Sequence, residues 1–142
     1  MKDRITCFKL NWYDRGLNCV DSVLQEEITV YRNDRYMAFT ELNGYGVICS
    51  CKIIHIEKSE IENFFDFLEK TCDKWESDYS EGMCDAGEWV VRMWFSSRKF
   101  KKACGTTEYP PNGRKIEKYI RSFIKAGKST IEPNMFGCDR SI

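Results

Sequence analysis

His55 is the only histidine in the 142-residue chain, so imidazole chemistry would have to be built around it. If Val47–His55 forms a strand, side-chain alternation puts Cys49, Cys51, Ile53 and His55 on one face. Two thiols and an imidazole could ligate zinc with a fourth ligand from elsewhere. Yet Cys-x-Cys-x-x-x-His on a strand follows none of the usual zinc spacings, and Cys-x-x-Cys occurs nowhere in the chain. The plainer reading is a set of small core residues, and no metal ligand is assigned. A Cys–His nucleophile pair has no local signature around His55, and a Ser–His–acid triad lacks its Gly-x-Ser-x-Gly elbow. Gly127-Lys128-Ser129-Thr130 copies the end of a phosphate loop. Its first glycine would have to stand where Ser122 is, and a helix pattern rather than a strand precedes it. Gly44-Tyr45-Gly46 has no third glycine at position 49 and reads as a turn. Asp85, Glu88 and Glu108 could act as paired carboxylates, as such residues could in any chain of this length. No catalytic residue and no cofactor is expected.

The charges carry more information. Lys+Arg and Asp+Glu both number 22, giving a formal net charge of +0, but they are not interleaved. Residues 1–57 hold 7 basic and 8 acidic groups, residues 58–88 hold 3 and 10, and residues 89–142 hold 12 and 4. At about 100° per residue, Glu62, Asp66, Glu69, Asp73 and Glu76 form one acidic stripe along a helix. Arg98, Lys99, Lys101 and Lys102 sit on a hairpin. Arg114, Lys118, Arg121 and Lys125 share one face of a second helix. Either stripe can be ordinary solvated surface, or a docking surface that steers a charged partner. On the basic side, Arg98, Lys101, Arg114, Lys118 and Arg121 could track phosphates, with Trp94 near enough in sequence to stack on a base.

These groups must be positioned by a core, and the composition supplies one: 42% hydrophobic and 14% aromatic residues exclude wholesale disorder. No apolar run approaches the roughly 20 residues of a membrane span, and the start does not read as a signal-peptide core. Eight cysteines would allow 105 disulfide pairings. Five of them (Cys7, Cys49, Cys51, Cys72 and Cys104) fall inside regular segments, which suits reduced thiols acting as small hydrophobes. A cytoplasmic protein is expected.

Ile5–Trp12 alternates, with Thr6, Phe8, Leu10 and Trp12 on one side of a strand. Glu27–Arg32 and Arg35–Glu41 read as a hairpin turning at Asn33-Asp34, and Val47–His55 as a further strand. Ser59 and Glu62 fit a capping box, followed by Ile61, Phe64, Phe65, Leu68, Cys72 and Trp75 on one face of a helix of about five turns. Trp89–Phe95 and Phe100–Cys104 read as a second hairpin. After the rigid Tyr109-Pro110-Pro111 loop, Ile116, Tyr119, Ile120, Phe123 and Ile124 line a helix ending near Gly127. The expected fold is α+β: an antiparallel sheet with two amphipathic helices packed on one face, in a single domain over 1–127. Residues 128–142 form a tail, docked by Met135 and Phe136 or left free.

Cys84-Asp85-Ala86-Gly87-Glu88-Trp89, the alternation to Phe95, Gly105 and Tyr109-Pro110 resemble the C-terminal half of small uncharacterised bacterial and phage proteins. In those, an Asp-Gly-x-x-Trp strand precedes a Gly…Tyr-Pro loop and a closing helix; here Ala86 stands between the Asp and the Gly. The resemblance spans about 40 residues. It implies a hairpin-plus-helix fold and carries no activity. On physical grounds, Trp89 reads as a core anchor rather than a ligand platform, and Gly105 as a turn residue.

These readings converge on a non-catalytic cytoplasmic binding protein acting through a protein partner or self-association. The acidic residues Glu62, Asp66, Glu69 and Asp73 would dock it, in the manner of an inhibitor occupying the basic groove of a nucleic-acid-handling enzyme. The alternative is a nucleotide or anion module on the basic half.

Overall fold

The computed structural model describes residues 3–13, 23–79, 88–106, 109–126 and 129–131. They form a mixed fold of eight strands and two helices: β1 (Ile5–Tyr13), β2 (Val23–Tyr31), β3 (Tyr36–Asn43), β4 (Ile48–His55), α1 (Lys58–Cys72), β5 (Asp78–Tyr79), β6 (Glu88–Phe95), β7 (Phe100–Gly105), α2 (Gly113–Ala126) and β8 (Ser129–Ile131). One sheet holds all eight strands in the order β5-β7-β6-β1-β2-β3-β4-β8, antiparallel throughout except for the short β5–β7 pair. It is larger than the six strands legible in the sequence. β5 has only two residues, and β8 lies within the segment expected to be a tail, where it pairs with Lys52–Ile54 of β4. Met135, Phe136, Gly127, Asp85, Gly87 and Glu108 lie outside the described residues. Among the described residues no helix is long and apolar enough to cross a membrane.

Strand registry explains the core. Met93, Phe8, Val30, Met37 and Ile54 stand side by side across five strands, and each is fully buried. Phe8 meets Phe64 of α1 edge-on at 6.0 Å, and Phe64 meets Tyr119 and Phe123 of α2 at 5.3 and 5.6 Å. Ile61, Phe65, Leu68, Ile116 and Ile120 complete the same cluster, so the helical spacing read from the sequence buries most of the residues it picked out, while Tyr119 and Ile124 pack against the cluster half-buried.

Five local expectations change. A bulge in β1 shifts the register between Ile5 and Cys7, so Ile5, and not Thr6, joins Phe8 in the core. The capping box does not form: α1 starts at Lys58, its N-cap is Glu57 with no side-chain cap bond, and Ser59 lies inside the helix. The helix runs 15 residues, about four turns, and Trp75 packs into the core from beyond its end. Gly105 is the last residue of β7, not a turn residue; a Cβ there would lie 2.7 Å from the Trp89 indole. Trp89, 2% exposed, is the anchor its pattern suggested. In the first hairpin the positive φ falls on Arg35 (57°), not on Asn33 or Asp34, because the connection is a four-residue loop.

Candidate functional site

The two rungs next to the fully buried one form a floor. Val91, Leu10 and Ile28 stand in register across β6, β1 and β2, followed by Trp89, Trp12 and Glu26. Above them lies a cavity of about 220 Å³. Phe8 closes one end, and Trp75 with the Tyr109-Pro110 loop forms a wall. Gly113, Glu117 and Arg121, spaced at i, i+4 and i+8, present one stripe of α2 to it.

Hydrogen bonds and close packing hold several of the wall residues. Trp75 donates its indole N–H to the Pro111 carbonyl at 2.9 Å, tying the segment after α1 to the loop before α2. Trp89 lies between Tyr79 and Tyr109, with ring centroids 5.9 and 6.1 Å away, over the bare backbone of Gly105. Gly113 admits the Pro110 ring: a Cβ there would come within 3.0 Å of Cδ. The cavity is therefore walled by aromatic rings fixed by hydrogen bonds and close packing.

Its polar groups gather at one corner. Arg121 Nη2 donates to Glu26 Oε1 at 3.0 Å, and Nε lies 3.5 Å from Glu117 Oε1. Tyr109 donates its hydroxyl to Glu117 Oε2 at 2.7 Å. Burial, and then the bond to Glu117, push the Tyr109 phenol up to about 12, so it stays protonated. Burial works against the Arg121 charge, but Glu26 and Glu117 outweigh it and hold its pKa above the ordinary value. Two carboxylates and one guanidinium line this corner, and a second guanidinium, Arg114, lies 5.0 Å over the Tyr109 ring beside it.

The acidic stripe is partly consumed within the molecule. Arg32, at the β2–β3 turn, grips Glu62 with two nitrogens at 2.6 and 3.2 Å and reaches Glu69 at 3.2 Å. Its Nη1 also donates to the Ile5 carbonyl at 2.9 Å, and its guanidinium lies 5.2 Å from the Phe65 ring centre. Arg4 bridges Asp66 and Glu69, and Glu69 accepts the Ile5 N–H at 2.8 Å. Three of the four carboxylates expected to dock a partner thus clamp β1 and the β2–β3 turn onto α1. Asp73 is exposed beyond the helix end.

The basic set is dispersed. Lys101 donates to the Cys72 carbonyl at 2.7 Å, neutralising the C-terminal end of α1. Arg114 lies 5.0 Å over the Tyr109 ring, and Arg121 is held at the cavity rim. Arg98, with φ 70°, is exposed in the β6–β7 turn, and Lys118 is exposed on α2.

Cys49, Cys51 and His55 make no ligand set, and no other three His, Cys, Asp or Glu among the described residues come together for a metal. A register shift between Glu41 and Leu42 leaves Cys49 as an extra residue opposite β3. Cys51 is buried and accepts the Thr40 hydroxyl at 3.6 Å, while His55 is exposed at the strand end. The five described cysteines (Cys7, Cys49, Cys51, Cys72 and Cys104) are free thiols, and burial pushes Cys7 up to about 11 and Cys72 up to about 12. Thiols so shifted are poor nucleophiles.

Sequence reasoning missed the cavity because its walls come from five separated segments. Its one visible signal was the surplus of tryptophan and tyrosine around residues that the helix and strand periods already assigned to the core. Compared with known protein families, curated proteins and solved structures, the chain has no significant match.

Proposed function

We propose that this protein is a non-catalytic binding module whose two helices lie on the same face of the sheet, leaving the aromatic cavity beside the start of α2 as its ligand site. The observation that carries the reading is the convergence of Trp12, Trp75, Trp89 and Tyr109 on one cavity with a single polar corner. Apolar walls with a few placed polar groups are the usual make-up of a small-molecule site.

The test is thermal unfolding with a panel of benzene-sized neutral, cationic and anionic compounds, on the wild type and on Leu10→Trp, which fills the floor. A ligand at a hundredfold its Kd stabilises by about 2.7 kcal/mol, which raises Tm by several degrees in a chain of this size. The reading expects such a rise with some panel members and none with folded Leu10→Trp. Equal shifts in both proteins, or no shift with any compound, would contradict it.

A second reading, docking of a basic protein partner on α1, including inhibition of a nucleic-acid-handling enzyme, draws on Asp66, whose side chain is 50% exposed, and on exposed Asp73. Reversing all four carboxylates would disturb the clamp that Arg4 and Arg32 make with Glu62, Asp66 and Glu69, so the informative variant is Asp66→Asn with Asp73→Lys. A co-purifying protein held equally well by that variant would oppose this reading. An anion module on the basic half has less support, since Arg121 and Lys101 already have internal partners.

A further inference from the structure

The charge of the cavity narrows what enters it, and this step rests on the binding reading above. We propose that the cavity takes a small organic cation, a quaternary or alkylated ammonium with a compact apolar body.

Aromatic faces carry negative electrostatic potential and attract a cation brought within about 6 Å of the ring centre. Trp12, Trp75, Trp89 and Tyr109 line the cavity, and the Arg114 guanidinium, 5.0 Å over one face of Tyr109, shows that a ring of this wall takes a cation. The rim adds a second, independent preference. Glu26 and Glu117 outnumber Arg121, so an entering anion would meet two carboxylates and would have to take the guanidinium from both. An uncharged ligand gains from burial alone. A cation gains from the rings and can compete with Arg121 for the Glu26 and Glu117 carboxylates. Tyr109 adds no charge of its own, because its proton is directed at Glu117. Arg121 is 43% exposed at its side chain and can turn outward to let a competing ammonium reach Glu117.

Size agrees with this class. A cavity of about 150 Å³ admits benzene, so 220 Å³ has room for a trimethylammonium group and a short stem.

The experiment titrates the full chain by calorimetry with three probes: choline, its uncharged isostere 3,3-dimethylbutan-1-ol, and benzoate. The expected result is choline binding about tenfold tighter than the isostere, with benzoate weakest. In Glu117→Gln that preference should shrink to about threefold or less with the isostere unchanged, since one of the two carboxylates that attract the cation is removed. If the isostere or benzoate binds as well as choline, the cation inference is overturned and the cavity remains a binding site. Failure of all three overturns it as well. If every compound of the thermal-unfolding panel also fails, the binding reading falls with it. The comparison of choline with its isostere uses the wild-type protein, so it does not depend on any variant folding.

Discussion

Arg32 is 6% exposed, a charge taken almost wholly out of water, and its setting shows how the acidic helix is used. A buried guanidinium is tolerable only with close carboxylates and satisfied N–H groups; here Glu62, Glu69 and the Ile5 carbonyl supply them. Arg32→Ala leaves Glu69, itself 9% exposed, to Arg4 and the Ile5 N–H, and should cost about 3 kcal/mol in urea unfolding. A cost below about 1 kcal/mol would mean that the clamp is ordinary surface. The bonds from Arg32 hold Glu62 below its ordinary 4.5. Burial opposes ionisation of Glu69, but Arg4 and the Ile5 N–H outweigh it and lower its pKa too. A lowered folded pKa stabilises fully above the unfolded value and is lost as pH falls through the folded one. Stability should therefore drop below about pH 4.5, and less steeply in Glu69→Gln. None of this was legible locally, because Glu62 stands where a capping box would use it and its real partner lies 30 residues earlier.

At the scale of elements, periodicity was a good guide to what lies inside and a poor one to how each element begins. Ile61, Phe64, Phe65, Leu68, Ile116, Ile120 and Phe123 were legible as buried from spacing alone. Bulges were not, since an extra residue in a strand leaves the composition unchanged while reversing the faces on one side of it, as at Ile5 and Cys49. β5 and β8 were invisible because two or three residues carry no period. The start of α1 gives a sharp check. Losing a true N-cap serine costs about 1 kcal/mol, whereas Ser59 inside the helix gains propensity on becoming alanine. Ser59→Ala should leave chemical stability within about 0.5 kcal/mol of wild type or raise it. A loss near 1 kcal/mol would restore the cap.

For the whole molecule, the charge segregation of the sequence becomes an internal organisation. Part of the acidic block fastens the opposite end of the chain through Arg4 and Arg32, and part of the basic block caps α1 or closes the cavity rim. Among the described residues, an aromatic cavity lies where the floor of β6, β1 and β2 meets the start of α2. The four tryptophans provide a direct probe with its own control. Trp12, Trp75 and Trp89 line the cavity, while Trp94, 37% exposed, stacks near Phe100 outside it. The decisive measurement is the set of four indole N–H resonances followed by NMR through a choline titration. The account predicts saturable shifts of Trp12, Trp75 and Trp89 with Trp94 unmoved; a response confined to Trp94, or shared equally by all four, would contradict it.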